Sequence, residues 1–123
     1  MKNMTKGQIE SKISETITKL KTEYIGKGPR EVKSYILEDI IVIRLRGGLT
    51  ILEKQLSEDA EGIKLVKMSR IYLLEKSKNE LEKLLKDLLN VTVTAYYADI
   101  NPKIEEMFII LDLNKNIEEK IIK

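Results

Sequence analysis

What this chain can fold into is decided mostly by the run from Ile40 to Leu56, IIVIRLRGGLTILEKQL. Ile40 to Leu45 are mostly β-branched, which suits a strand packed against other layers. Gly47 and Gly48 then allow positive φ and a sharp turn. Thr50 precedes Glu53 by three residues, the spacing of a capping box that opens a helix. Arg44 and Arg46 stand two apart, so on a strand they share a face. The run therefore predicts a strand, a glycine corner and a helix start, with two guanidinium groups close to the corner.

The same strand constrains its surroundings. Ile41, Ile43 and Leu45 share one face, while Ile40 and Val42 begin the other before the arginines follow. Both faces start apolar, so a helix or another subunit is expected to cover the second one.

Upstream, Thr5 and Gln8 form another capping-box spacing, followed by Ile9, Ile13, Ile17, Leu20 and Tyr24 on one helical stripe. Gly26 ends that helix, and Gly28-Pro29 prevents its resumption. Strands are expected over Val32–Leu37 and Ile40–Arg46, joined at Glu38-Asp39. The helix from Thr50 is expected to break across 57–62, and a long helix to run from Ile63 to Leu89. Its stripe holds Ile63, Val66, Leu73, Leu74, Leu81, Leu84, Leu85 and Leu88, with Arg70 and Ser77 where apolar residues belong. At about 40 Å, such a helix would overhang a small sheet and could pack on a partner. Val91 to Ala98 alternates as a strand, Asp99 to Pro102 reads as a turn, and Met107 to Leu113 is the fourth strand. Residues 114–123 read as a short helix through Ile117, Ile121 and Ile122, or as a frayed tail.

A weak internal echo joins the halves. VKSYILEDI (Val32–Ile40) resembles VTAYYADI (Val93–Ile100), and each follows a helix. The expected fold is α+β: one domain over 1–123, with a four-stranded mixed or antiparallel sheet made from two hairpins. An N-terminal helix and a long central helix pack on that sheet.

Composition narrows the function. The chain has no Cys and no His, which excludes disulfides, Cys/His zinc sites, thiol nucleophiles and a Ser-His relay. The net charge is +2, the basic excess in the first 48 residues is mild, and Tyr96 and Tyr97 point to opposite faces. A nucleic-acid partner is therefore not expected. No apolar run approaches the ~18–20 residues of a membrane span, and MKNMTKGQIE lacks the apolar core of a secretion signal. The expectation is a cytoplasmic protein with no direct membrane insertion.

Four places carry candidate chemistry. At the corner, Arg44, Arg46, Gly47, Gly48 and Thr50 can bind an anion, because helix-start amides and guanidinium groups both donate to negative charge. Against this, Thr50 and Glu53 can satisfy those amides themselves, and Glu53 can pair with an arginine. In the loop Gly26–Arg30, Lys27, Gly28 and Arg30 can wrap a phosphate in a backbone nest, although the Walker pattern is absent. Ending a helix is the simpler role for that loop. Asp39, Glu53 and Asp99 could act as acid and base or hold Mg²⁺ only if they converge; turn duty explains Asp39 and Asp99 more simply. Arg70, on an apolar stripe, either anchors a subunit contact or ligand with a carboxylate such as Glu53, or snorkels to the surface.

MTKGQIESKISETI, GKGPREV, DIIVIRLRGGLTILEKQL and the strand after VTVTAYYADI together resemble the MpsC-like family of uncharacterised bacterial proteins. The central RL-x-G-x-LT-x-x-E-x-x-L pattern is the most specific part. The family is named for a Na⁺-translocating, membrane-potential-generating system whose sibling components are linked to inorganic-carbon uptake. The resemblance implies an accessory role beside such a membrane-associated complex, and it brings no catalytic residues with it. The expectation is thus a non-enzymatic accessory or regulatory protein, homodimeric, with no cofactor and no metal. The alternative is a domain that binds phosphate, bicarbonate or a nucleotide at the arginine–glycine corner.

Overall fold

A computed structural model describes residues 4–121. The chain runs α1 (Lys6–Ile25), β1 (Glu31–Leu37), β2 (Ile40–Arg46), α2 (Ile51–Leu56), α3 (Ala60–Leu89), β3 (Val93–Asn101) and β4 (Glu106–Leu113). A 3-10 turn over Glu118–Lys120 follows. The capping boxes form as spaced: Thr5 with Gln8 opens α1, and Thr50 with Glu53 opens α2. Gly26 ends α1 in the left-handed conformation.

The four strands make one antiparallel sheet in the order β1-β2-β4-β3. Each half of the chain is a helix followed by a hairpin, and β2 meets β4 at the centre of the sheet. Both long helices lie on one face. Ile9, Ile13 and Ile17 of α1 and Val66, Leu81 and Leu85 of α3 join Ile36, Ile41, Ile43, Ile109 and Leu111 in one core. None of these residues is more than 3% exposed.

This layering narrows one expectation, that a helix or another subunit covers the second sheet face. Among the described residues no helix covers it, and Tyr35, Tyr97 and Phe108 remain exposed there. The overhang also disappears, because one stripe of α3 stays buried along its length from Gly62 to Leu88 and α2 packs against its first turns. Gly62 permits that packing: a Cβ there would lie 1.5 Å from the Leu56 carbonyl oxygen.

The third strand differs in register. It starts at Val93 and continues through Asn101, so the turn falls at 102–105 instead of 99–102. Ile100 is only 4% exposed, and burying it holds the strand in place past Asp99. A bulge between Val93 and Ala95 flips the alternation. Val93 therefore packs on the core, whereas Ala95 and Tyr97 share the open face with Ile110 and Phe108. The tail does not fray over its described part: Ile117 and Ile121 pack on the core, and Lys6 pairs with Glu118. Ile122 lies outside the described residues.

Candidate functional site

Two regions carry the residues singled out in the sequence. The first is the glycine corner. Gly47 and Gly48 take φ values of 78° and 88°. A Cβ on Gly48 would approach Pro29 Cα to 3.0 Å, and one on Gly47 would approach Arg30 Cβ to 2.8 Å. The Gly26–Arg30 loop thus packs on the corner, and two separately expected anion sites are one place. Lys27 Nζ donates to the Leu49 carbonyl at 3.1 Å, and the Arg30 amide donates to the Arg46 carbonyl at 2.7 Å. Gly28 lies against Gly48 through its carbonyl oxygen.

The helix start is satisfied from within. The Glu53 amide donates to Thr50 Oγ1 at 3.1 Å, and the Thr50 amide donates to Glu53 Oε1 at 3.0 Å. Glu53 then reaches across to α3. Arg70 Nε donates to its Oε2 at 2.6 Å and Nη2 donates to its Oε1 at 2.7 Å, a two-point ion pair. Arg70 Nη2 also donates to the Gly48 carbonyl at 3.0 Å. Both side chains are buried, and burial alone would push the Glu53 carboxyl up. The Arg70 and Thr50 hydrogen bonds more than offset this and hold it below the usual carboxylate range. Of the two roles open to Arg70, the geometry realises the buried charge, and its partner is Glu53.

Beside this pair lies a residue that the stripe analysis passed over. Lys21 of α1 is 7% exposed, and its Nζ donates only to Met107 Sδ, at 3.6 Å. Among the described residues no carboxylate lies within ion-pair distance of it. Burial, then the charge of Arg70, lowers its pKa from the ordinary 10.5 to about 8, with Glu53 partly offsetting. Lys21 stands four residues after Ile17 and eight after Ile13, so its burial was readable as a continuation of the same stripe. Tyr24, expected there, is 40% exposed. Lys21, Lys27, Arg70, Gly47 and Gly48 line a cleft of about 10 Å³, room for one water.

Arg44 and Arg46 do not take part in this corner. They project from the open face of the sheet, where Arg44 Nε donates to Glu106 Oε2 at 2.8 Å. Arg46 lies 3.4 Å from the same carboxylate oxygen and 3.5 Å from Glu31. The Arg44 hydrogen bond, joined by the positive charge of both arginines, keeps the Glu106 carboxyl below its usual range. The three carboxylates considered for catalysis are also dispersed. Asp39 is exposed at the β1–β2 turn, Asp99 lies exposed on β3 with Lys67 at 3.3 Å, and Glu53 is held by Arg70. Among the described residues no three carboxylates converge to hold a metal ion.

The second region is that open face. The register sets Tyr35, Val42, Ile110 and Tyr97 in one row across all four strands. The next row is Lys33, Arg44, Phe108 and Asp99, with the Arg44 guanidinium 5.4 Å from the Phe108 ring centre. A second apolar patch occurs on the helical side, where Leu65, Met68 and Tyr72 line the outward face of α3 near exposed Ile51 and Leu52 of α2.

A two-layer α+β protein with a locked polar corner, a bare sheet face and no metal-binding cluster of carboxylates among its described residues is the class that fold and site define. The chain belongs to the MpsC family, described as "Na+-translocating membrane potential-generating system (MpsC)", which residues 5–115 match. It is similar to "Uncharacterized protein YbcI" of Bacillus subtilis (strain 168), 32% identical over 119 residues, covering 94% of this chain and 96% of that one. "Uncharacterized protein YrhF" of the same organism is 30% identical over 95 residues, covering 76% of this chain and 75% of that one. No solved structure matches the chain. Among the described residues no helix is long and apolar enough to cross a membrane.

Proposed function

We propose that this chain is a non-enzymatic, cytoplasmic accessory protein that acts by protein contact, as a homodimer, beside a membrane system that moves ions or inorganic carbon. The observation that carries the reading is the bare sheet face. A row of Tyr35, Val42, Ile110 and Tyr97 crosses all four strands with no helix over it. Apolar surface of this kind on a small protein marks an interaction site. The family description supplies the membrane system, and ion movement falls to other subunits, since no described helix could span a bilayer. Light scattering across a concentration series tests the reading. A dimer at micromolar concentration is expected, and a monomer up to about 100 µM (roughly −5.5 kcal/mol of association) overturns it.

A second reading places a small anion at the glycine corner, and one observation favours it: the buried Lys21 ammonium has no carboxylate within ion-pair reach. Lys27 and Arg70 share its cleft, in place of Arg44 and Arg46. The cleft admits about one water, so bicarbonate or phosphate would have to displace Pro29 or Met107. Chloride, bicarbonate and phosphate, each compared with gluconate at equal ionic strength, test this by thermal shift. A ligand that binds only the folded state raises the melting temperature, and the rise should vanish in Lys21→Met.

A further inference from the structure

We propose that two copies of this chain pack their bare sheet faces together about a two-fold axis parallel to the strands, so that β2 of each copy lies over β4 of the other. This rests on the reading of a contact-driven homodimer and adds which face meets which, and in what register.

The strand order makes the face self-complementary under that one operation. Rotation about an axis running between β2 and β4 sets β1 over β3 and β2 over β4 and keeps the cross-strand rows aligned. Lys33 then lies over Asp99 of the second copy, Tyr35 over Tyr97, Val42 over Ile110, and Arg44 over Phe108. Opposite charges meet opposite charges, and the aromatic and aliphatic row meets its equal. The cation–π contact that Arg44 makes with its own Phe108 is available to the second copy's ring as well.

The competing axis, across the strands, does worse. It inverts the rows and brings Glu106 over Asp112 and Arg46 over Ile40. Under the favoured axis one mismatch remains, Ile40 over Asp112, and it falls at the rim. Packed sheets cross at about 30°, which shifts the central strands by roughly 1 Å and the edge strands by roughly 4 Å, against ~6.6 Å between same-face neighbours. The central pairs therefore stay matched, and at the edges the length of the Lys33 side chain spans the offset to Asp99.

The footprint sits at the threshold of a stable contact. Four strands ~4.8 Å apart and about seven residues long cover roughly 440 Å² per copy before side-chain relief. Two copies thus bury close to the ~1,000 Å² at which a biological interface begins, at the small end of stable dimers. A reversible dimer is the expected result.

The chain has no cysteine, so introduced thiols are unambiguous. Tyr35 and Tyr97 sit on opposite edge strands, about 14 Å apart across three strand spacings, too far to bridge within one copy. Packed sheets stand ~10 Å apart, beyond disulfide reach, so a thiol-to-thiol cross-linker spanning roughly 8 Å is the probe. A Tyr35→Cys and Tyr97→Cys mixture should give a cross-linked pair with one chain of each kind, while either variant alone stays unlinked. Linkage of Tyr35→Cys to itself would overturn the axis. Failure of the mixture to link while light scattering still reads a dimer would overturn the sheet pairing and leave the contact reading standing, with the Leu65–Met68–Tyr72 patch as its surface. A monomer at all concentrations would overturn both.

Charge reversal gives an independent arm that needs no cross-link. Lys33→Glu and Asp99→Lys should each weaken self-association by about tenfold, because each sets like charges face to face twice. Mixing the two variants sets opposite charges at both contacts and should restore the original affinity. Two weakened variants that do not rescue one another would overturn the register.

Discussion

Arg46 and Gly48 are two residues apart, yet they belong to regions built on opposite logic. At the corner, Arg70 and Glu53 form a two-point ion pair sealed from water and tied to the Gly48 carbonyl and the Thr50 amide. On the open sheet face, Arg44 and Arg46 share Glu106 in the same guanidinium–carboxylate chemistry, but in contact with solvent. The difference teaches that burial, not the presence of an ion pair, decides what such a pair does. The sealed pair holds three elements in register, whereas the exposed pairs dress a surface that is free to meet another molecule.

The largest expected effect comes from breaking the sealed pair. Arg70→Met leaves the Glu53 carboxylate buried without its partner and should destabilise the protein by about 3–5 kcal/mol, read as a shift in the denaturant midpoint. A loss under about 1 kcal/mol would mean that the corner is open to water and that the contrast is false.

Next comes Lys21, the corner residue whose burial no partner compensates. Its pKa is lower in the folded chain than in the unfolded one. Below about pH 8 both states hold the proton, and the fold carries the full destabilisation. Between about 8 and the ordinary 10.5 only the unfolded chain holds it, so stability rises with pH across that window. Lys21→Met should therefore stabilise the protein at pH 7 by about 2–3 kcal/mol and flatten the rise. Tyr96 limits the measurement to below about pH 10. Its burial and its hydrogen bond to Glu82 raise its pKa, so above that pH the unfolded chain ionises first and stability falls again. A variant no more stable than the parent at pH 7 would mean that an anion already neutralises the ammonium, and would sharpen the corner from a strained scaffold into a binding site.

On the open face the effects on the fold should be small. Val42→Lys is expected to change chain stability by less than about 1 kcal/mol while abolishing the dimer, because a half-buried position on the helix-free sheet face lets a long side chain reach water in the lone chain but not in an apolar interface. Smallest of all, Glu106→Gln should leave the denaturation midpoint unmoved, since its partners Arg44 and Arg46 stay in water. A large loss of stability in either variant would erase the distinction between the regions.

Much of this architecture was readable from local chemistry. Thr5-Gln8 and Thr50-Glu53 are spacing rules that act within one helical turn, and both caps formed. Gly47-Gly48 announced the corner because only residues that accept positive φ can turn there. The candidate site was half legible. Arg70 betrayed itself by standing on an apolar stripe, and Glu53 was flagged as ready to pair with an arginine; their union across 17 residues is tertiary. Arg44 and Arg46 were placed near the corner by proximity along the chain, although a strand sends them to the side of the sheet away from the helices. Lys21, in step with Ile13 and Ile17, was legible by spacing and passed over only for its charge, while the shift in β3 was hidden by a one-residue bulge that no hydrophobic alternation reports.

The central ladder sets the order in which this chain can assemble. Ile43 meets Ile109 across the join between the two helix–hairpin units, whereas every other strand pairing closes over a single short turn. The hairpins can therefore zip early, and the slow event is their union, which must first close a long loop containing α2 and α3. Until that union forms, each half exposes an isoleucine-rich strand edge that the other half of the same chain, or of a neighbouring chain, fits equally well. Refolding at high concentration should thus yield exchanged chains, each lending a hairpin to the next.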